Sequence, residues 1–404
     1  MYPNLPIPTP LRGSDKGTFT EHTLKVRMPA IAGRVLQEND LSTEAGRLIQ
    51  MLVDEIPEGR IRPLTPSNAP DFDLWNEAIA PYKGQTWLQI PWFFAETYLY
   101  RRIIEAVDYF NTGLDPFATQ KQVGLTTTMT QSRTLSRQRN QHCKNGWQTD
   151  RFIHLLLADL WGNQADLSVW AAGDSGMPNH ADADSRTDHL LVDDGTAVTH
   201  HIATAPQNAH VDFIIDNAGF ELVGDLCLAD YLLGAAKIET INFHLKLHPT
   251  FVSDATILDV QETIDLFLED EDATLRELGS RIKRWMGNGR LQLHIHPFWT
   301  SPYPMWQMPS DLRQQLATAH LVISKGDANY RRALGDAHWP FTTPFASIVS
   351  YFPTAVLFLR TCKSEIVTGL KENQVTQLTK KDPNWLVNGR WGLIQFVKNS
   401  TINY

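Results

Sequence analysis

The stretch V-D-F-I-I-D-N-A-G-F-E-L, residues 211–222, decides the fold. Its first five residues are mostly β-branched or aromatic, which predicts a strand over 211–215. A helical pattern of apolar residues follows and predicts a helix over about 219–236. The same order recurs along the second half of the chain. It predicts strands at 239–245, 291–295, 320–324 and 355–359, a candidate edge strand at 391–397, and helices at about 257–286 and 310–318. This alternation predicts an α/β fold with a mainly parallel sheet and helices on its faces.

The first half of the chain is predicted to be helical. The run P-W-F-F-A-E-T-Y-L-Y-R-R-I-I, residues 91–104, suits a largely buried helix with Pro at its first position. Helical patterns also fit 43–56 and 150–161. The polar stretch 118–146 predicts a mobile surface loop or a loosely held helix, and the polar stretch 172–187 predicts an interdomain connection.

Composition restricts the class of protein. The 404 residues are 42% hydrophobic and 20% charged, which is typical of a globular chain of one large or two ordinary domains. The net charge of −9 argues against a nucleic-acid binder, although a local group of cations can still bind a small anion in a cleft.

The sequence also bears on the cellular compartment. The three cysteines, Cys143, Cys227 and Cys362, form no C-x-x-C pair and fit free thiols in a reducing compartment. The N-terminus lacks a basic segment followed by an apolar one, so we expect no signal peptide. The uncharged stretch 342–359 contains two prolines and would make a poor membrane span. We therefore predict a cytoplasmic protein that binds neither membranes nor nucleic acid.

Polar side chains follow five of the predicted strands. In chain order they are Asp216 and Asn217; Lys246, His248 and Asp254; His296; Lys325, Asp327, Asn329 and Arg331; and Arg360 and Lys363. Because the carboxyl ends of parallel strands meet at one edge of a sheet, these side chains are expected to form one site. That edge would hold carboxylate and amide oxygens for a metal ion beside cations for a phosphate.

The oxygen donors are candidate metal ligands. Asp216 and Asn217 close one strand and open the next helix, and Asp254 follows the neighbouring strand. Each is also a favoured helix-capping residue, and capping and metal binding can coexist. Two carboxylates, an amide oxygen, waters and substrate oxygens make a plausible octahedral shell for Mg²⁺ or Mn²⁺. The chain has no G-x-G-x-x-G, so a dinucleotide fingerprint is absent from the sequence.

Other polar residues favour structural roles. Glu221 lies in the first helical turn, where a carboxylate interacts favourably with the helix dipole. Asp225 and Asp230 are expected on the exposed face of that helix. His294 and His296 alternate along a strand and so make poor joint ligands.

Two further clusters suit an anion. The run Lys325-Gly326-Asp327-Ala328-Asn329-Tyr330-Arg331 combines two cations, a carboxylate, an amide and a phenol after a predicted strand. Arg360-Thr361-Cys362-Lys363 follows the next strand. Arg can bind a phosphate bidentately and Lys adds a compact charge, whereas a solvated strand end explains either cluster taken alone about as well.

At these residues the chain resembles the damage-control phosphatases, also called the domain-of-unknown-function 89 or acidic-residue-methyltransferase-like family. The Arg-Thr-x-Lys run at 360–363 is similar to the motif of its subfamily III. The supporting blocks are P-W-F-F-A-E-T-Y-L-Y-R-R-I (91–103), L-W-G-N-Q-A-D-L-S (160–168), D-N-A-G-F-E-L-V-G-D-L-C-L-A-D (216–230), F-V-S-D-A-T (251–256) and K-G-D-A-N-Y-R (325–331). The resemblance spans almost the whole chain, and the blocks are specific together rather than singly.

The resemblance implies a helical N-terminal domain over 1–175 and a three-layer α/β/α, Rossmann-like phosphatase domain over 176–404. It implies that Asp216, Asn217 and Asp254 bind the metal ion. Residues expected to bind substrate are Glu221, Asp327, Asn329, Tyr330, Arg331 and Lys363. Asn163 and Asp166 match a family block, where packing or capping explains them equally well.

The leading hypothesis is a phosphatase that depends on Mn²⁺, Co²⁺, Ni²⁺ or Mg²⁺ and hydrolyses phosphate monoesters such as fructose 1-phosphate and fructose 6-phosphate. Its partner is a small phosphorylated metabolite, and Asp216 or Asp254 would accept a proton or attack covalently. The alternative implied by the resemblance is an S-adenosylmethionine-dependent protein-glutamate carboxyl methyltransferase, with Glu221 and Asp254 near the cofactor. A third hypothesis is a non-catalytic binding module. The sequence makes no prediction of oligomeric state.

Overall fold

The computed structural model describes residues 1–143, 146–162 and 187–398. The α-helices are α1 (Phe19–His22), α2 (Met28–Glu38), α3 (Thr43–Glu55), α4 (Phe72–Ile79), α5 (Trp92–Ala106), α6 (Tyr109–Thr112), α7 (Ala118–Thr127), α8 (Met129–Cys143), α9 (Thr149–Gly162), α10 (Gly195–Ala203), α11 (Phe220–Ala235), α12 (Ile257–Glu269), α13 (Ala273–Gly287), α14 (Ser310–Ala317), α15 (Gly326–Leu334), α16 (Phe345–Ile348) and α17 (Glu372–Lys381). A π-helical turn, Thr23–Arg27, joins α1 to α2, and short 3₁₀ turns lie at Ala80–Tyr82, Pro297–Thr300, Met305–Gln307 and Val349–Tyr351.

Seven strands form one sheet in the order β1-β7-β6-β5-β2-β3-β4. The strands are β1 (Leu190–Asp193), β2 (Ala209–Ile214), β3 (Ile238–Leu245), β4 (Leu291–Ile295), β5 (Leu321–Lys325), β6 (Val356–Thr361) and β7 (Gly392–Val397). The five from β6 to β4 are parallel, and β7 pairs antiparallel with β6 and parallel with β1. The predicted mainly parallel sheet is confirmed.

Helices cover both faces of this sheet. Side chains alternate along each strand, so Phe213 and Ile323 point into one apolar core while Ile214 and Val322 point into the other. The first core contains residues of α9, α11, α12 and α13, and the second contains residues of α2 to α5. The α/β/α layering expected from the resemblance is therefore confirmed. The helices of the first half contribute to both cores.

The structure changes two sequence predictions in detail and decides between the alternatives of a third. The predicted helix 257–286 is two helices, because Asp272 caps α13 by accepting hydrogen bonds from the backbone N–H groups of Thr274 and Leu275. Of the two alternatives predicted for 118–146, a mobile surface loop or a loosely held helix, the described part shows helices, α7 and α8. Strand β7 was predicted at an edge, yet it lies between β6 and β1.

Buried polar contacts explain why the sequence did not distinguish α8 from a surface loop. This helix docks through polar side chains instead of an apolar stripe. Arg139 pairs with Asp230 at 2.5 Å, and the Ser136 hydroxyl donates to the Thr274 carbonyl at 2.9 Å. Asp230 also pairs with Arg281 at 3.0 Å. The expectation that Asp225 and Asp230 are exposed was wrong: both are fully buried.

Some predictions concern residues outside the described ranges. Asn163, Asp166, the proposed boundary at 175/176 and nearly all of the polar stretch 172–187 lie there, so the division into two domains stays a prediction. Within residues 1–143, 146–162 and 187–398, no helix is long and apolar enough to cross a membrane.

The rings of His201 and His320 stack beside β5. Because His201 is partly buried, we expect the stability of the protein to depend on pH. The rings of His201 and His320 are 4.1 Å apart and 3° from parallel. Each Nε2 lies 2.9 or 3.1 Å from the other residue's backbone carbonyl oxygen and so must donate to it. Burial lowers the pKa of His201, and the charges of His320, Lys398 and His200 lower it further, against the opposing effect of the hydrogen bond to the His320 backbone.

A histidine whose folded pKa is lowered contributes stability that is complete above its unfolded pKa of about 6.5 and is lost as pH falls through that value. We expect the His201→Gln variant to lose less free energy of unfolding than the wild type between pH 7.5 and pH 5.5 in urea titrations. His22→Gln, at an exposed position, is the control. Equal pH dependence in wild type and His201→Gln would contradict the assignment.

Candidate functional site

The candidate site lies at the carboxyl ends of β2 and β5. These strands are neighbours, but the chain continues from β2 to β3 on one side and from β5 to β6 on the other. Ligands of open α/β sheets bind at such a switch point. A cavity of about 480 Å³ opens there. The strand-end residues that line it are Asp216, Asn217, Asp254, Asp327, Arg331 and Lys363.

Backbone pairing brings the three candidate metal ligands together. Beyond the end of β2, Asn217 forms a bridge with Asp254. The Ala255 N–H donates to the Asp216 carbonyl at 2.8 Å, and the Ala218 N–H donates to the Ser253 carbonyl at 2.7 Å. The loop after β3 is thus hydrogen-bonded to the extension of β2. Asp216, Asn217 and Asp254 are all buried.

Hydrogen bonds fix the amide of Asn217. Its Nδ2 donates to Asp216 Oδ2 at 3.0 Å and to Glu221 Oε2 at 2.8 Å. Its Oδ1 accepts from the Ser253 hydroxyl at 2.7 Å. Because a carbonyl oxygen has two lone pairs, Oδ1 keeps one for a further partner.

Asp254 is held by an ion pair and a strained loop. Lys246 Nζ lies 2.7 Å from Asp254 Oδ2 and donates to the Ile215 carbonyl at 3.0 Å. Just before Asp254, Phe251 and Val252 have φ values of +48° and +68°. Non-glycine residues adopt such values at a cost, and they do so more often at functional sites.

The donor set fits a divalent cation. Asp216 Oδ1 is buried and finds no hydrogen-bond partner in the described part of the chain. Burial raises the pKa of Asp216 well above its usual value, and the nearby charges of Asp254 and Glu221 raise it further. Burial likewise raises the pKa of Asp254 to about 6 against the opposing charge of Lys246. Such carboxylates gain stability from a bound cation.

The ligand set is small. Among the described residues, no three or more His, Cys, Asp or Glu side chains form a group arranged to hold a metal ion. The candidate set comprises two carboxylates and one amide. An octahedral ion there would need waters or substrate oxygens for its remaining positions, which is usual for Mg²⁺.

Gly326 lets β5 approach Asp216. Its φ is +79°, and an added Cβ would lie 1.7 Å from Asp216 Oδ2. A side chain at this position would therefore both strain the backbone and displace the carboxylate. The sequence motif contains Gly at this position because the candidate ligand occupies the space.

Arg331 lies on the cavity wall, where two carboxylates and an aromatic ring contact its guanidinium group. It forms two hydrogen bonds with Asp336, at 2.8 and 3.2 Å, and one with Glu96 at 2.5 Å. Its guanidinium carbon is 3.6 Å from the ring centroid of Trp92. These contacts fix the orientation of the guanidinium group, and the two carboxylates offset its positive charge.

Asp327, on α15, connects the Lys325–Arg331 run to the turn that follows β6. Its Oδ1 accepts from Arg360 Nε at 2.7 Å, from the Lys363 backbone N–H at 3.2 Å and from the Ser364 hydroxyl at 3.1 Å. Arg360 is fully buried and also donates to the Ile366 carbonyl. Arg360 therefore holds the turn that presents Lys363 and does not line the cavity in the described structure.

Besides Arg360, further predicted residues do not line the cavity in the described structure. The Asn329 amide donates to the Lys325 carbonyl at 2.9 Å, and the Tyr330 hydroxyl donates to Gln395 at 2.9 Å inside the core. Glu221 contacts Asn217 and Lys325 instead of the cavity. All three are buried and none is among the residues that line the described cavity, so their expected contact with substrate stays a prediction. His248 is buried against Asp71, and His296, which follows the outermost strand β4, lies 3.5 Å from Asp311 of α14.

Sequence reasoning missed the wall opposite the strand ends. It consists of side chains from α1, α2 and α5, the π-helical turn and the loop after β3. Residues of this wall include Phe19, Arg27, Ile31, Arg34, Trp92, Tyr100, Phe251 and Val252. The conspicuous motif around Trp92 was a sign that this helix contributes to the site, since Glu96 within it binds Arg331. The two residues are more than 200 positions apart, and no sequence spacing predicts such a contact.

The fold and cavity define a three-layer α/β/α protein with an acidic, cation-flanked site at the switch point of its sheet. A family model described as "Damage-control phosphatase ARMT1-like domain" matches residues 23–378. The chain belongs to this family, so the resemblance seen in its sequence is confirmed.

Curated relatives agree with this assignment. Proteins named "Damage-control phosphatase ARMT1" from Danio rerio and Rattus norvegicus are each 31% identical, and the one from Homo sapiens is 30% identical. The alignments cover 96% of this chain and 97%, 98% and 98% of those relatives, respectively. A crystal structure titled as a duf89 family protein from Pyrococcus horikoshii covers 91% of this chain and 95% of its own, with 13% identity and a TM-score of 0.47.

Proposed function

We propose that this damage-control phosphatase requires a divalent cation and hydrolyses phosphate monoesters of sugar phosphates, of the fructose 1-phosphate and fructose 6-phosphate type. The observation that carries the proposal is the single cavity that Asp216, Asn217 and Asp254 share with Arg331 and Lys363. Oxygen donors for a hard cation thereby face cations that suit a phosphate.

Asp216, Asn217 and Asp254 would hold the cation, which is Mn²⁺, Co²⁺, Ni²⁺ or Mg²⁺ in this proposal. When bound, such an ion supplies electrophilic activation of the phosphate. The chain keeps the ligands ready: Lys246 holds Asp254, and Glu221 and Ser253 hold the Asn217 amide. The unpartnered Asp216 Oδ1 supports a role as a direct ligand.

Lys363 and Arg331 are the two cations for the phosphate in this proposal, since both line the cavity. Arg331 shares its charge with Asp336 and Glu96, so it orients the phosphate more than it neutralises it. Lys363 is half-buried on the cavity wall, where an ammonium group is well placed to offset charge on the nonbridging oxygens as it develops. The rings of Trp92, Tyr100 and Phe251 would cover the sugar and exclude water.

The test is hydrolysis of fructose 1-phosphate by purified protein, with EDTA and then with added Mn²⁺, Co²⁺, Ni²⁺ or Mg²⁺. We expect phosphate release that EDTA abolishes and the metal restores. Turnover that persists in EDTA would contradict the metal requirement. Metal-dependent release from other phosphate esters but not from fructose phosphates would contradict the substrate class alone.

Replacing Lys363 gives a sharper test of the phosphate contact. We expect Lys363→Met to lower kcat/KM for fructose 1-phosphate by about 100-fold, the usual cost of removing one group that stabilises transition-state charge. Lys283→Met, an exposed lysine on α13, is the matched control. Wild-type kcat/KM in Lys363→Met, with a normal circular dichroism spectrum, would remove Lys363 from the site.

The methyltransferase alternative is not favoured. The matched family model and the relatives are named as phosphatases, and Glu221 contacts buried partners instead of the cavity. Isothermal titration with S-adenosylmethionine tests it, and we expect no heat of binding. We also keep a cytoplasmic location and a small phosphorylated metabolite as partner within this proposal.

A further inference from the structure

A buried lysine connects the candidate metal site to two helices on one face of the sheet. Lys325, the last residue of β5, is 1% exposed. Its Nζ lies 2.7 Å from Asp159 Oδ1, 3.0 Å from Asp225 Oδ1 and 3.4 Å from Glu221 Oε1. Three acceptors match the three N–H bonds of an ammonium group, so the direction of the side chain is fixed.

Glu221 extends this contact to the amide of Asn217. One carboxylate oxygen of Glu221 faces Lys325, and the other accepts the Nδ2–H of Asn217 at 2.8 Å. The second Nδ2 hydrogen goes to Asp216. With the nitrogen held on this side, the amide oxygen of Asn217 must point the other way. A flipped amide would present N–H groups where a metal ion needs an oxygen.

Close packing of α9 on α11 holds the cluster in place. A Cβ added at Gly224 of α11 would lie 2.8 Å from Asp159 Oδ1, and one added at Gly162 of α9 would lie 3.3 Å from the Glu221 Cα. These two glycines allow the helices to approach closely enough for Asp159 to reach Lys325. The cluster is therefore part of the rigid core.

Carboxyl groups outnumber the ammonium group in this cluster. Asp159, Asp225 and Glu221 share one buried ammonium group, and Asp216 and Asp254 lie beyond them with Lys246. Without Lys325, Glu221 would face two other carboxylates and turn away from them. The position of Glu221 thus depends on this lysine.

We infer that Lys325, held by Asp159 and Asp225, is a positioning residue that fixes Glu221 and thereby presents the Asn217 amide oxygen to a divalent cation. The inference rests on the metal-dependent function proposed above. Residues that orient metal ligands usually change metal affinity by about 10- to 100-fold when replaced.

The test compares Lys325→Met, Asp159→Asn and Asp225→Asn with the control Asp230→Asn. Asp230 lies on the same helix as Asp225, is equally buried and pairs with Arg139 and Arg281 instead. Mn²⁺ binding is measured by isothermal titration, and stability by thermal unfolding without metal. We expect Lys325→Met to weaken Mn²⁺ binding by about 10- to 100-fold and the two cluster Asn variants by about 10-fold, whereas Asp230→Asn lowers the Tm without changing the Mn²⁺ Kd.

Crystal structures of the metal-free wild type and variants provide a second measurement. We expect the Asn217 amide to rotate or shift in Lys325→Met and to keep its position in Asp230→Asn. If Lys325→Met does not fold, Asp159→Asn and Asp225→Asn decide the question. Cluster variants that lose stability but keep the wild-type Mn²⁺ Kd would overturn the inference. If the wild type binds none of Mn²⁺, Co²⁺, Ni²⁺ and Mg²⁺, the proposed function fails, and an unmoved Asn217 in the variant crystals would separately refute the positioning role.

Discussion

Asp216→Asn is expected to abolish hydrolysis without destabilising the metal-free protein, whereas Asp254→Asn is expected to abolish hydrolysis and destabilise it. Both changes remove a proposed metal ligand, so kcat/KM should fall on the order of 10³-fold in each. The stabilities should differ because the two carboxylates have different partners.

Asp216 is buried with one oxygen that lacks a hydrogen-bond partner in the described structure, and its pKa is raised by burial and by neighbouring carboxylates. An amide of the same shape removes that unfavourable charge. Asp254 instead pairs with buried Lys246, and its loss leaves the ammonium group without an anion. Removing one member of a buried ion pair costs about 3 kcal/mol.

Urea unfolding in EDTA measures this contrast, and phosphate release with added Mn²⁺ measures the activity. Lys246→Met combined with Asp254→Asn is the control, because removing both partners should recover part of the lost stability. Full activity in a folded Asp216→Asn protein would contradict the assignment of the ligand. Equal losses of stability in Asp216→Asn and Asp254→Asn would contradict the electrostatic account.

Gly326→Ala is expected to lower kcat/KM by at least about 100-fold, since a displacement of a catalytic group by about 1 Å costs roughly that much. The new methyl group would occupy the space of the Asp216 carboxylate, 1.7 Å from Oδ2, at a backbone φ of +79°. Either Asp216 or the start of α15 must move. Either movement would change the distance between the Asp216 and Asp254 carboxylates, which are both proposed metal ligands.

Gly289→Ala is the matched control, because it introduces the same backbone strain as Gly326→Ala without a steric clash. Gly289 has a φ of +77°, and an added Cβ there meets no atom of the described residues within 4 Å. We expect this variant to lose about 1 kcal/mol of unfolding free energy and to keep its activity. Gly326→Ala should lose about 1–3 kcal/mol more, which is typical of overpacking. If the two variants matched in stability and activity, the clash would be shown to be unimportant.

Strand ends were predictable from sequence, whereas side-chain partners were not. The alternating pattern predicted the parallel strands, and parallel strands must bring their carboxyl ends to one edge. Asp216, Asn217 and Asp254 do meet there. The resemblance implied that Tyr330 binds substrate, whereas its ring lies on α15 with its hydroxyl directed to Gln395 in the core. A linear motif does not specify which face of a short helix turns inward.

Lys325 is the clearest example of a residue whose position at a strand end was predictable and whose partners were not. Its sequence context, a lysine after an apolar run, suggests a cation for a phosphate, yet it is buried among three carboxylates from α9 and α11. Those carboxylates are 100 or more positions away in the chain, and two of them, Asp159 and Asp225, showed no special pattern.

The stretch 211–222 by itself determined a strand, a turn of oxygen donors and a helix, because apolar periodicity and turn chemistry are local. The family followed from short blocks along the rest of the chain. The tertiary structure alone decided which polar residues line the cavity and which hold others in place. That choice depends on burial and on charge partners, and both arise only when distant helices pack against the sheet.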